Sequence, residues 1–371
     1  TLTGGLGNDT LDGGLGLDTA TYTGLKSAYT VVKVGAGYTV TDTNTGDGDD
    51  GTDTLTGIER LQFSDQTLAL GMLQRDFGGD GKSDILLRNG NTGEVAIWTI
   101  NGAAISGGGT PGFLGAGWAI VDSSGDYNGD SRSDILLRNT TSGEVAIWTI
   151  NGTAISGGGT PGFLGAGWTI ADGSGDYNGD GKSDILLRNT TSGEVAIWTI
   201  NGSAITGGGT PGFLGSGWTI ADGSGDYNGD GRSDILLRNT SSGEVAQWLL
   251  NGSAITGGGT PGFLGAGWTI ADGAGDYNAD GRSDVLLNNT LTGQVAQWMI
   301  NGSTISGGGT PGYLGAGWNI AEGSCDYNGD GTSDILLHNT NTGQVAEWLL
   351  SGSTISGGGT PGYLGAGWVI G

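Results

Sequence analysis

One nine-residue pattern of oxygen-bearing side chains recurs six times along this 371-residue chain, and its spacing suits metal binding. In its clearest copy, DYNGDGKSD at 176–184, positions 1, 3, 5 and 9 carry Asp176, Asn178, Asp180 and Asp184. Gly181 at position 6 permits a sharp turn, and Lys182 at position 7 offers its backbone carbonyl. Ca²⁺ binds about six to eight oxygens, whereas Mg²⁺ keeps its waters and demands a strict octahedron. The spacing therefore predicts a Ca²⁺ site, although it lacks the position-12 Glu of an EF-hand.

The six copies share this set of predicted ligands, with a carbonyl donor at position 7 of each. The predicted ligands are Asp76, Asp80, Lys82, Asp84, Asp126, Asn128, Asp130, Arg132, Asp134, Asp176, Asn178, Asp180, Lys182, Asp184, Asp226, Asn228, Asp230, Arg232, Asp234, Asp276, Asn278, Asp280, Arg282, Asp284, Asp326, Asn328, Asp330, Thr332 and Asp334. Gly78 replaces the position-3 ligand of the first copy, so we expect that site to be the weakest. Ser131 replaces the turn glycine of the second copy, and Ala279 occupies position 4 of the fifth, where we expect little effect.

Asp-Asn-Gly runs also form ordinary turns that bind nothing, and a single copy would leave this alternative open. Six copies with Asp at positions 1, 5 and 9 favour metal binding, since these loops hold 18 of the 38 acidic residues. Three crowded carboxylates without a cation would raise one another's pKa and destabilise the fold. Six Ca²⁺ ions carry twelve positive charges and would bring the formal net charge from −25 to −13.

Composition excludes several other classes of function. The strong negative charge argues against nucleic-acid binding, which takes clustered Lys and Arg. Cys325 and His338 are the only residues of their types, which excludes an internal disulfide and nearly excludes zinc sites and Ser-His-Asp triads. No apolar run is long enough for a transmembrane helix, so we expect no membrane insertion. The chain begins at Thr1 without a recognisable signal peptide, and we expect a fragment of a longer chain.

The elements that carry the acidic loops repeat every 50 residues. The units begin at Asp76, Asp126, Asp176, Asp226, Asp276 and Asp326. Within a unit, SDILLRN, GEVAIWTING, SAIT before a GGGTPG turn, and GWTIADGSG predict four short strands. Four strands in about 50 residues match one blade of a β-propeller. The 83 glycines argue against long helices, which glycine destabilises.

Both faces of the second strand are mostly apolar, as expected for a sheet sandwiched between two others. The face of Ile197 tolerates polarity, because Gln247, Gln297 and Glu347 replace it in later units. The face of Trp198 carries tryptophan in all six units. We therefore assign the tryptophan face to tight packing between blades, where each ring buries about 150–250 Å².

The N-terminal segment differs from the repeat. GGLGNDTLD at 4–12 and GGLGLDTAT at 13–21 fit the G-G-x-G-x-D-x-U-x pattern of a parallel β-roll, in which each Asp helps to bind Ca²⁺. The predicted ligands there are Asp9 and Asp18. Ala20 stands where a large apolar residue belongs, so we expect the roll to end there. Residues 28–70 then predict a hairpin (YTVVKVGAGYTVTD), an acidic loop (GDGDDGTD) and a last strand (IERLQFSD).

The motif DxNGDGxxD followed by an apolar strand resembles the FG-GAP (VCBS) repeats of integrin α-type β-propellers, over residues 76–371. In that family the loop joins the inner strand of a blade to the second strand, which implies that GWTIADGSG is an inner strand. Residues 1–70 look like the end of a repeats-in-toxin (RTX) calcium-binding segment. That resemblance implies a bacterial protein that leaves the cell by type I secretion and folds in extracellular calcium. The domains are then an RTX-like segment at 1–70 and a propeller at 71–371.

The number of blades depends on how the repeat closes. GWVIG at 367–371 could close the ring by joining the first unit, because residues 67–75 match an inner strand poorly. This gives six four-stranded blades, whereas seven, the usual integrin-like number, would require residues 22–75 to form a blade. The predicted fold is therefore an all-β propeller of six, alternatively seven, blades preceded by a short β-roll and hairpin.

The sequence favours a secreted carbohydrate-binding module, a lectin or adhesin, since fungal propellers similar to this class bind sugars between adjacent blades. A sugar site combines an aromatic face with a few fixed polar groups. The recurring candidates are Trp118, Trp168, Trp218, Trp268, Trp318, Arg88, Arg138, Arg188, Arg238, Glu94, Glu144, Glu194 and Glu244. The aromatic ring of TPGFLG or TPGYLG, such as Phe163 or Tyr313, is a further candidate.

Packing is the alternative role of these residues. The last two units replace Arg and Glu together by neutral residues, namely Asn288 with Gln294 and His338 with Gln344, which suggests that Arg and Glu contact each other. A passive structural or display scaffold of a larger RTX exoprotein is therefore the second hypothesis. We expect no enzyme activity in this chain, because every acidic cluster belongs to the sixfold repeat and catalytic sites are singular. Another domain of the longer secreted chain, such as a hydrolase, would then carry any catalysis.

Overall fold

The computed structural model describes residues 1–13, 18–34, 37–46, 48–58, 60–65, 67–69 and 74–371. Within these residues the chain is built from β-strands, apart from a short 3-10 helix at Lys26–Ala28. No helix in this part of the chain is long and apolar enough to cross a membrane. The expectation of an all-β fold is confirmed.

The strands fall into an N-terminal group and a repeated group. The N-terminal strands are β1 (Thr10–Asp12), β2 (Thr19–Thr21), β3 (Tyr29–Val34), β4 (Gly37–Asp42), β5 (Thr52–Thr56), β6 (Arg60–Gln62) and β7 (Thr67–Ala69). The first half of the repeated group is β8 (Ile85–Asn89), β9 (Glu94–Asn101), β10 (Ala104–Phe113), β11 (Trp118–Asp122), β12 (Ile135–Asn139), β13 (Glu144–Asn151), β14 (Ala154–Phe163), β15 (Trp168–Asp172), β16 (Ile185–Asn189), β17 (Glu194–Asn201), β18 (Ala204–Phe213) and β19 (Trp218–Asp222). The second half is β20 (Ile235–Asn239), β21 (Glu244–Asn251), β22 (Ala254–Phe263), β23 (Trp268–Gly275), β24 (Asp284–Asn289), β25 (Gln294–Asn301), β26 (Thr304–Tyr313), β27 (Trp318–Cys325), β28 (Asp334–Asn339), β29 (Gln344–Ser351), β30 (Thr354–Tyr363) and β31 (Trp368–Ile370).

Residues 74–371 form six four-stranded antiparallel sheets, which are the blades of a β-propeller. Blade 1 has the strand order β31-β8-β9-β10, and blade 2 has the order β11-β12-β13-β14. Blades 3 to 6 repeat the order of blade 2 and begin at β15, β19, β23 and β27. The four-stranded repeat expected from the sequence is therefore present in all six units.

Adjacent blades share their cores, because both faces of each sheet are apolar. Between blades 2 and 3, Val145 and Ile147 pack against Ile185 and Leu187, and all four are at most 2% exposed. The sixth and first blades pack in the same way, since Val345 lies in one buried cluster with residues of β8 and β9. Short strands thus gain a continuous hydrophobic core that no single blade could build.

The first blade is assembled from distant parts of the chain. Its inner strand β31 pairs antiparallel with β8, and Trp368 lies opposite Asn89. The pairing expected for GWVIG is therefore confirmed. Gln74 and Arg75 occupy the rest of the inner-strand position in this blade. The Gln74 carbonyl accepts a hydrogen bond from Ser83 Oγ at 2.7 Å, and the Arg75 carbonyl accepts one from the Asp84 N–H at 2.8 Å. The same two bonds occur at inner strands elsewhere in the repeat, so residues 74 and 75 act as inner-strand residues although their sequence does not match one.

The outermost strands are longer than the sequence predicted. The expected GGGTPG turn is part of a ten-residue strand in every blade, such as Ala104–Phe113. Proline is compatible with this position because the strand is at the edge of the sheet and needs no N–H on its free side. The glycines are needed for packing, since a Cβ on Gly112 would lie 3.2 Å from the indole of Trp148 in the next blade. This contact supports the assignment of the tryptophan face to packing between blades.

The N-terminal strands form two small sheets with parallel pairs, β1 with β5 and β2 with β6. The predicted hairpin is present as β3 and β4, although residues 35 and 36 lie outside the described part. The end of the predicted acidic loop is instead strand β5, which is held between β1 and β4. Residues 14–17 of the second nonapeptide also lie outside the described residues. In the described part, the N-terminal strands form mixed sheets rather than a seventh antiparallel blade.

Three polar side chains on the Ile197-type face are buried rather than exposed. Gln247, Gln297 and Glu347 are at most 2% exposed, and their side-chain oxygens and nitrogens have no hydrogen-bond partner among the described residues. Glu347 shares a strand face with Val345 and therefore lies where blades 6 and 1 meet. Burial raises the pKa of Glu347 to about 8.

We expect replacement of Glu347 by isoleucine, the residue of blades 1 to 3, to stabilise the protein at pH 8–9 by roughly 1–3 kcal/mol. The folded state holds this proton up to a pKa of about 8, whereas the unfolded state releases it near 4.5. The parent therefore loses stability from this position as the pH rises from about 4.5 to about 8. Urea unfolding of both proteins at pH 5, 7 and 9 measures the difference.

The variant Glu347→Gln is the matched control, because it keeps a buried polar group but cannot ionise. Its stability relative to the isoleucine variant should not change with pH. Parallel pH profiles for the parent and Glu347→Ile would contradict the assignment.

Candidate functional sites: the acidic loops and the groove between blades

Each acidic loop joins the inner strand of a blade to the second strand. The loop at 126–134, for example, follows β11 and precedes β12. This is the position expected from the family resemblance. The loops of neighbouring blades contact each other, because the Asp126 N–H donates to Ser183 Oγ at 2.9 Å and the Ser183 N–H donates to the Asp126 carbonyl at 2.7 Å.

The first carboxylate of the loop organises its backbone. In blade 3, Asp176 accepts hydrogen bonds from the N–H groups of Gly179, Asp180 and Gly181 at 2.7, 3.2 and 2.9 Å. Asp180 accepts a further bond from the N–H of Lys182 at 2.9 Å. These local bonds explain the fixed spacing of positions 1 and 5, because a carboxylate bonds readily to N–H groups a few residues ahead.

The last carboxylate of the loop connects three segments. Asp184 is fully buried, and its two oxygens accept bonds from the N–H groups of Tyr177 at 3.1 Å and Ile200 at 2.9 Å. Tyr177 belongs to the loop and Ile200 to β17, so this side chain fixes the loop to the third strand of the sheet. Position 9 of the other five loops makes the same pair of bonds.

Burial and mutual repulsion disfavour the ionised form of these carboxylates. Burial raises the pKa of Asp184 to about 7, and the charges of Asp176 and Asp180 act in the same direction. In the first loop, burial and the neighbouring carboxylates raise the pKa of Asp84 to about 8. The sequence-based expectation of crowded, mutually repelling carboxylates therefore agrees with these directions.

The donor set is the kind that Ca²⁺ prefers, since it consists of carboxylate, amide and carbonyl oxygens. A Cβ placed on Gly78 would lie 3.8 Å from an oxygen of Asp76 and 4.0 Å from an oxygen of Asp84, so the two buried carboxylates meet around position 3. Among the described residues, however, no three or more His, Cys, Asp or Glu side chains converge closely enough to hold a metal ion. At position 3 of blade 3, the Asn178 amide donates to Asp180 at 3.2 Å. The Asn178 side-chain oxygen accepts from the Asp180 N–H at 2.8 Å, so an ion bound to this oxygen would share it with that hydrogen bond.

The fourth position of the loop has a left-handed backbone conformation, which the sequence did not indicate. Ala279 has φ of 56°, in the left-handed region, where its glycine counterparts such as Gly229 have φ of 75°. A Cβ therefore costs about 1–2 kcal/mol there. The expectation that Ala279 has little effect on ion binding stays a prediction. Ser131 is strained in the same way at position 6, with φ of 63°.

Sequence reasoning missed a second set of carboxylates, one on each inner strand of blades 2 to 6, four residues after the tryptophan that begins the strand. They are Asp122, Asp172, Asp222, Asp272 and Glu322. Asp172 accepts a bond from the N–H of Gly223 in the next blade at 3.2 Å, and burial together with its neighbours Asp122 and Asp222 raises its pKa. Arg75 forms an ion pair with Glu322 at 2.5 Å. The repeated aspartate of GWTIAD was the available signal.

A separate cavity of about 230 Å³ lies between the N-terminal segment and the acidic loops. Val31 and Tyr38 of the hairpin line one side, and Arg132 and Lys182 with several serines and aspartates line the other. The Arg60 side chain also donates to the backbone carbonyl of Asp330. The N-terminal segment therefore contacts the loop side of the propeller.

A groove of about 270 Å³ lies between blades 6 and 1. Glu94 and Trp98 of β9 and Trp368 of β31 line it from blade 1, and Tyr363 of β30 lines it from blade 6. Leu87, Ala96, Leu364 and Gly365 complete the lining. The structure thus brings together three kinds of predicted ligand-binding residue: a tryptophan of GW, the glutamate of the second strand and the aromatic residue that follows TPG.

The predicted arginines do not join this groove. Arg138 donates to the backbone carbonyl of Trp168 in the next blade at 2.7 Å, and Arg88, Arg188 and Arg238 make the same contact one blade apart. Glu144 accepts instead from the Thr160 hydroxyl at 3.0 Å. The expected contact between Arg and Glu is therefore wrong, because each side chain finds a nearer partner on another strand.

The N-terminal aspartates show no converging ligand set in the described residues. Asp9 has one buried carboxylate oxygen without a hydrogen-bond partner, and its backbone N–H donates to Asp53 at 2.8 Å. Asp18 lies 3.7 Å from the amino group of Thr1. Tyr22 donates to the second oxygen of Asp53 at 3.0 Å, so this tyrosine and Asp53 form a buried polar pair that the sequence did not predict.

Comparison with known proteins supports the repeat fold. The FG-GAP-like repeat family matches residues 126–187, 176–237 and 226–287, so this part of the chain carries FG-GAP-like repeats. The search of curated proteins found no match. A chain of the Photorhabdus luminescens Tc holotoxin pore matches with 15% identity and a TM-score of 0.43. The match covers 72% of this chain and 14% of that chain. Hsv2 of Kluyveromyces lactis matches with 9% identity and a TM-score of 0.41, covering 88% of this chain and 91% of that chain.

The Dos1 propeller matches with 12% identity and a TM-score of 0.37, covering 90% of this chain and 81% of that chain. At such identities and TM-scores, these structural likenesses carry no information about ligands or activity. The blade architecture rests on the strand pairing described above and on the repeat family.

We expect Ala279→Gly to stabilise the protein by about 1 kcal/mol, because glycine adopts the left-handed conformation without a Cβ penalty. The reverse change, Gly229→Ala at the equivalent position of blade 4, should destabilise it by a similar amount. Thermal unfolding at fixed calcium concentration compares the two variants with the parent. Equal melting temperatures for all three would contradict the proposed strain.

Proposed function

We propose that this chain is a carbohydrate-binding module, built on a calcium-stabilised propeller, that works outside the cell. The observation that carries the proposal is the groove between blades 6 and 1, which two indoles, a phenol and a carboxylate line. Sugars are bound by such combinations, in which aromatic faces stack on C–H surfaces and a few polar groups fix the hydroxyls. A cavity of about 270 Å³ suits a ligand of one or a few rings.

The groove residues recur at 50-residue intervals, which supports a multivalent module. The exposed aromatic ring of the groove is Tyr363, and its counterparts are Phe113, Phe163, Phe213, Phe263 and Tyr313, all of them 63–64% exposed. Rings this large gain from burial and are costly to leave in water. Repeated weak sites would bind a surface of many identical sugars by avidity.

We further propose that the six blades close into a complete ring. Ser83 and Asp326 support this, because the Asp326 N–H donates to Ser83 Oγ at 2.9 Å and the Ser83 N–H donates to the Asp326 carbonyl at 2.8 Å. These are the same two bonds that join the loops of other neighbouring blades. The shared core of blades 6 and 1 supports the same conclusion.

Calcium would stabilise the loops by supplying positive charge beside the buried carboxylates. In blade 3, the side chains of Asp176, Asn178, Asp180 and Asp184 and the carbonyl of Lys182 would hold the ion. The buried carboxylates support this role, because burial and the neighbouring charges of Asp176 and Asp180 disfavour the ionised form of Asp184, which a cation would favour. The ion would be structural, so the groove and not the metal would contact the sugar.

The N-terminal segment supports the proposal of an RTX-type, type I-secreted protein. Leu2 and Ala20 form a parallel bridge across 18 residues, which corresponds to two nonapeptides and to one turn of a β-roll. Such a segment would fold once calcium is available outside the cell. Catalysis is not part of the proposal, because the clustered carboxylates belong to the repeat.

We expect calcium to raise the melting temperature strongly and EDTA to lower it. At calcium concentrations of 100–1,000 times Kd, each occupied site should add about 3–4 kcal/mol. Magnesium at the same concentration is the control and should act more weakly, since it needs a strict octahedron. Differential scanning calorimetry with calcium, magnesium or EDTA makes the comparison, and equal unfolding in calcium and EDTA would contradict the calcium proposal.

We expect the calcium form to bind a glycan array, and replacement of the six exposed groove aromatics by alanine to weaken binding. The loss should be roughly 0.5–1.5 kcal/mol per site, the usual contribution of an aromatic contact beyond its buried area. Leu25→Ala is the matched control, because Leu25 is 54% exposed and lies outside the groove. Absence of binding to every glycan class would contradict the lectin proposal and favour the structural scaffold.

A further inference from the structure

The groove between blades 6 and 1 contains a negative charge without a protein counter-charge. Glu94 lines the groove, and its Oε1 accepts from the Thr110 hydroxyl at 2.9 Å. In the described residues, Glu94 forms no ion pair. Arg88 on the neighbouring strand donates to the Trp118 carbonyl at 2.7 Å instead. A carboxylate only accepts hydrogen bonds, so its remaining capacity favours a ligand that donates, and most of all one that carries a positive charge.

The surroundings of Glu94 also favour a cation. Trp98, Trp368 and Tyr363 line the same groove, and the faces of such rings attract ammonium groups. The formal net charge of the chain is −25 and would remain −13 with six Ca²⁺ bound. A field of this sign repels uronic acids, sulfated sugars and sialic acids and attracts cationic ligands.

We infer that the glutamate-bearing grooves select glycans whose sugars carry a protonated amine, such as glucosamine polymers. The sugar ring stacks on the indole face while its ammonium group pairs with the carboxylate. This inference deepens the proposed function and rests on it. It names the substrate class of the same grooves.

The repeat contains an internal comparison for this selectivity. The glutamate position holds Glu94, Glu144, Glu194 and Glu244 in blades 1 to 4, and Gln294 and Gln344 in blades 5 and 6. Gln294 donates to the Thr310 hydroxyl at 3.1 Å, and Gln344 donates to the Thr360 hydroxyl at 2.9 Å. These threonines are equivalent to Thr110, which donates to Glu94 in blade 1. At these two positions the hydrogen-bonding framework is therefore kept and the charge is lost. Four grooves should prefer the amine and two should not.

The test compares two ligands that differ only at the nitrogen: a glucosamine tetrasaccharide and its fully N-acetylated form. Isothermal titration calorimetry at pH 6, with calcium present, measures affinity and stoichiometry for each. We expect the amine form to bind at least fivefold more tightly, at four sites per chain, and to lose this advantage as salt is raised. The N-acetylated form should bind all six grooves about equally.

Two sets of variants connect the preference to the grooves. The quadruple change Glu94→Gln, Glu144→Gln, Glu194→Gln and Glu244→Gln should lower the affinity for the amine form to that for the N-acetylated form, so that the preference for the amine disappears. The reciprocal change Gln294→Glu with Gln344→Glu should raise the number of amine-selective sites from four to six. Attraction of the amine to the acidic surface in general would produce no such stepwise change in stoichiometry.

The outcomes separate the two levels of the proposal. If both forms bind with equal affinity, or if the quadruple variant keeps the preference for the amine, the inference is wrong although the lectin proposal stands. If neither form nor any glycan of the array binds, the lectin proposal fails and the inference fails with it. Retained calcium-dependent melting of every variant shows that it is folded.

Discussion

Each blade depends on one buried carboxylate, at the end of its acidic loop. Asp184 accepts bonds from the N–H groups of Tyr177 and Ile200, and it thereby fixes the loop to the third strand of its own sheet. Without an acceptor there, two backbone N–H groups would lose their partners in a fully buried site, at a cost of about 1–3 kcal/mol each. The same burial raises the pKa of the Asp184 carboxyl, which means that its negative charge is costly in the folded state. The group that organises the loop therefore also carries an unfavourable charge. A cation beside the carboxylates would resolve this conflict.

Contacts between blades then create both the core and the candidate binding site. The indole of Trp98 packs so closely on the backbone of Gly362 that a Cβ there would lie 2.9 Å from the ring. The same indole lines the groove together with Glu94 and Trp368. The sequence assigned this tryptophan to packing between blades. In the structure its indole both packs against the neighbouring blade and lines the groove. A groove formed in this way is positioned by the rigid core rather than by a flexible loop, which suits recognition of a small ring.

Much of the architecture could be predicted because it is local and repeated. The 50-residue period, the alternation of apolar residues and the turn residues predict four strands per unit, and the structure contains them. The errors occurred where a residue's environment comes from another blade. GGGTPG looked like a turn because glycine and proline usually punctuate strands, but it is an edge strand whose Gly112 accommodates Trp148 of the neighbouring blade. Arg138 seemed to need Glu144, yet it reaches the Trp168 carbonyl one blade away.

The sequence by itself determined the repeat, the four-stranded blade, the position of the acidic loops and the kinds of residue that form the groove. These features follow from spacing within 50 residues, which strand geometry and turn chemistry translate directly into local structure. Only the tertiary structure decided that Glu94 and Tyr363 line one groove, that Arg75 pairs with Glu322, and that Glu347 is buried where the last blade meets the first. The residues that meet in these contacts are separated by about 250 positions or more in the sequence. No local pattern encodes which surfaces meet when the last sheet packs against the first.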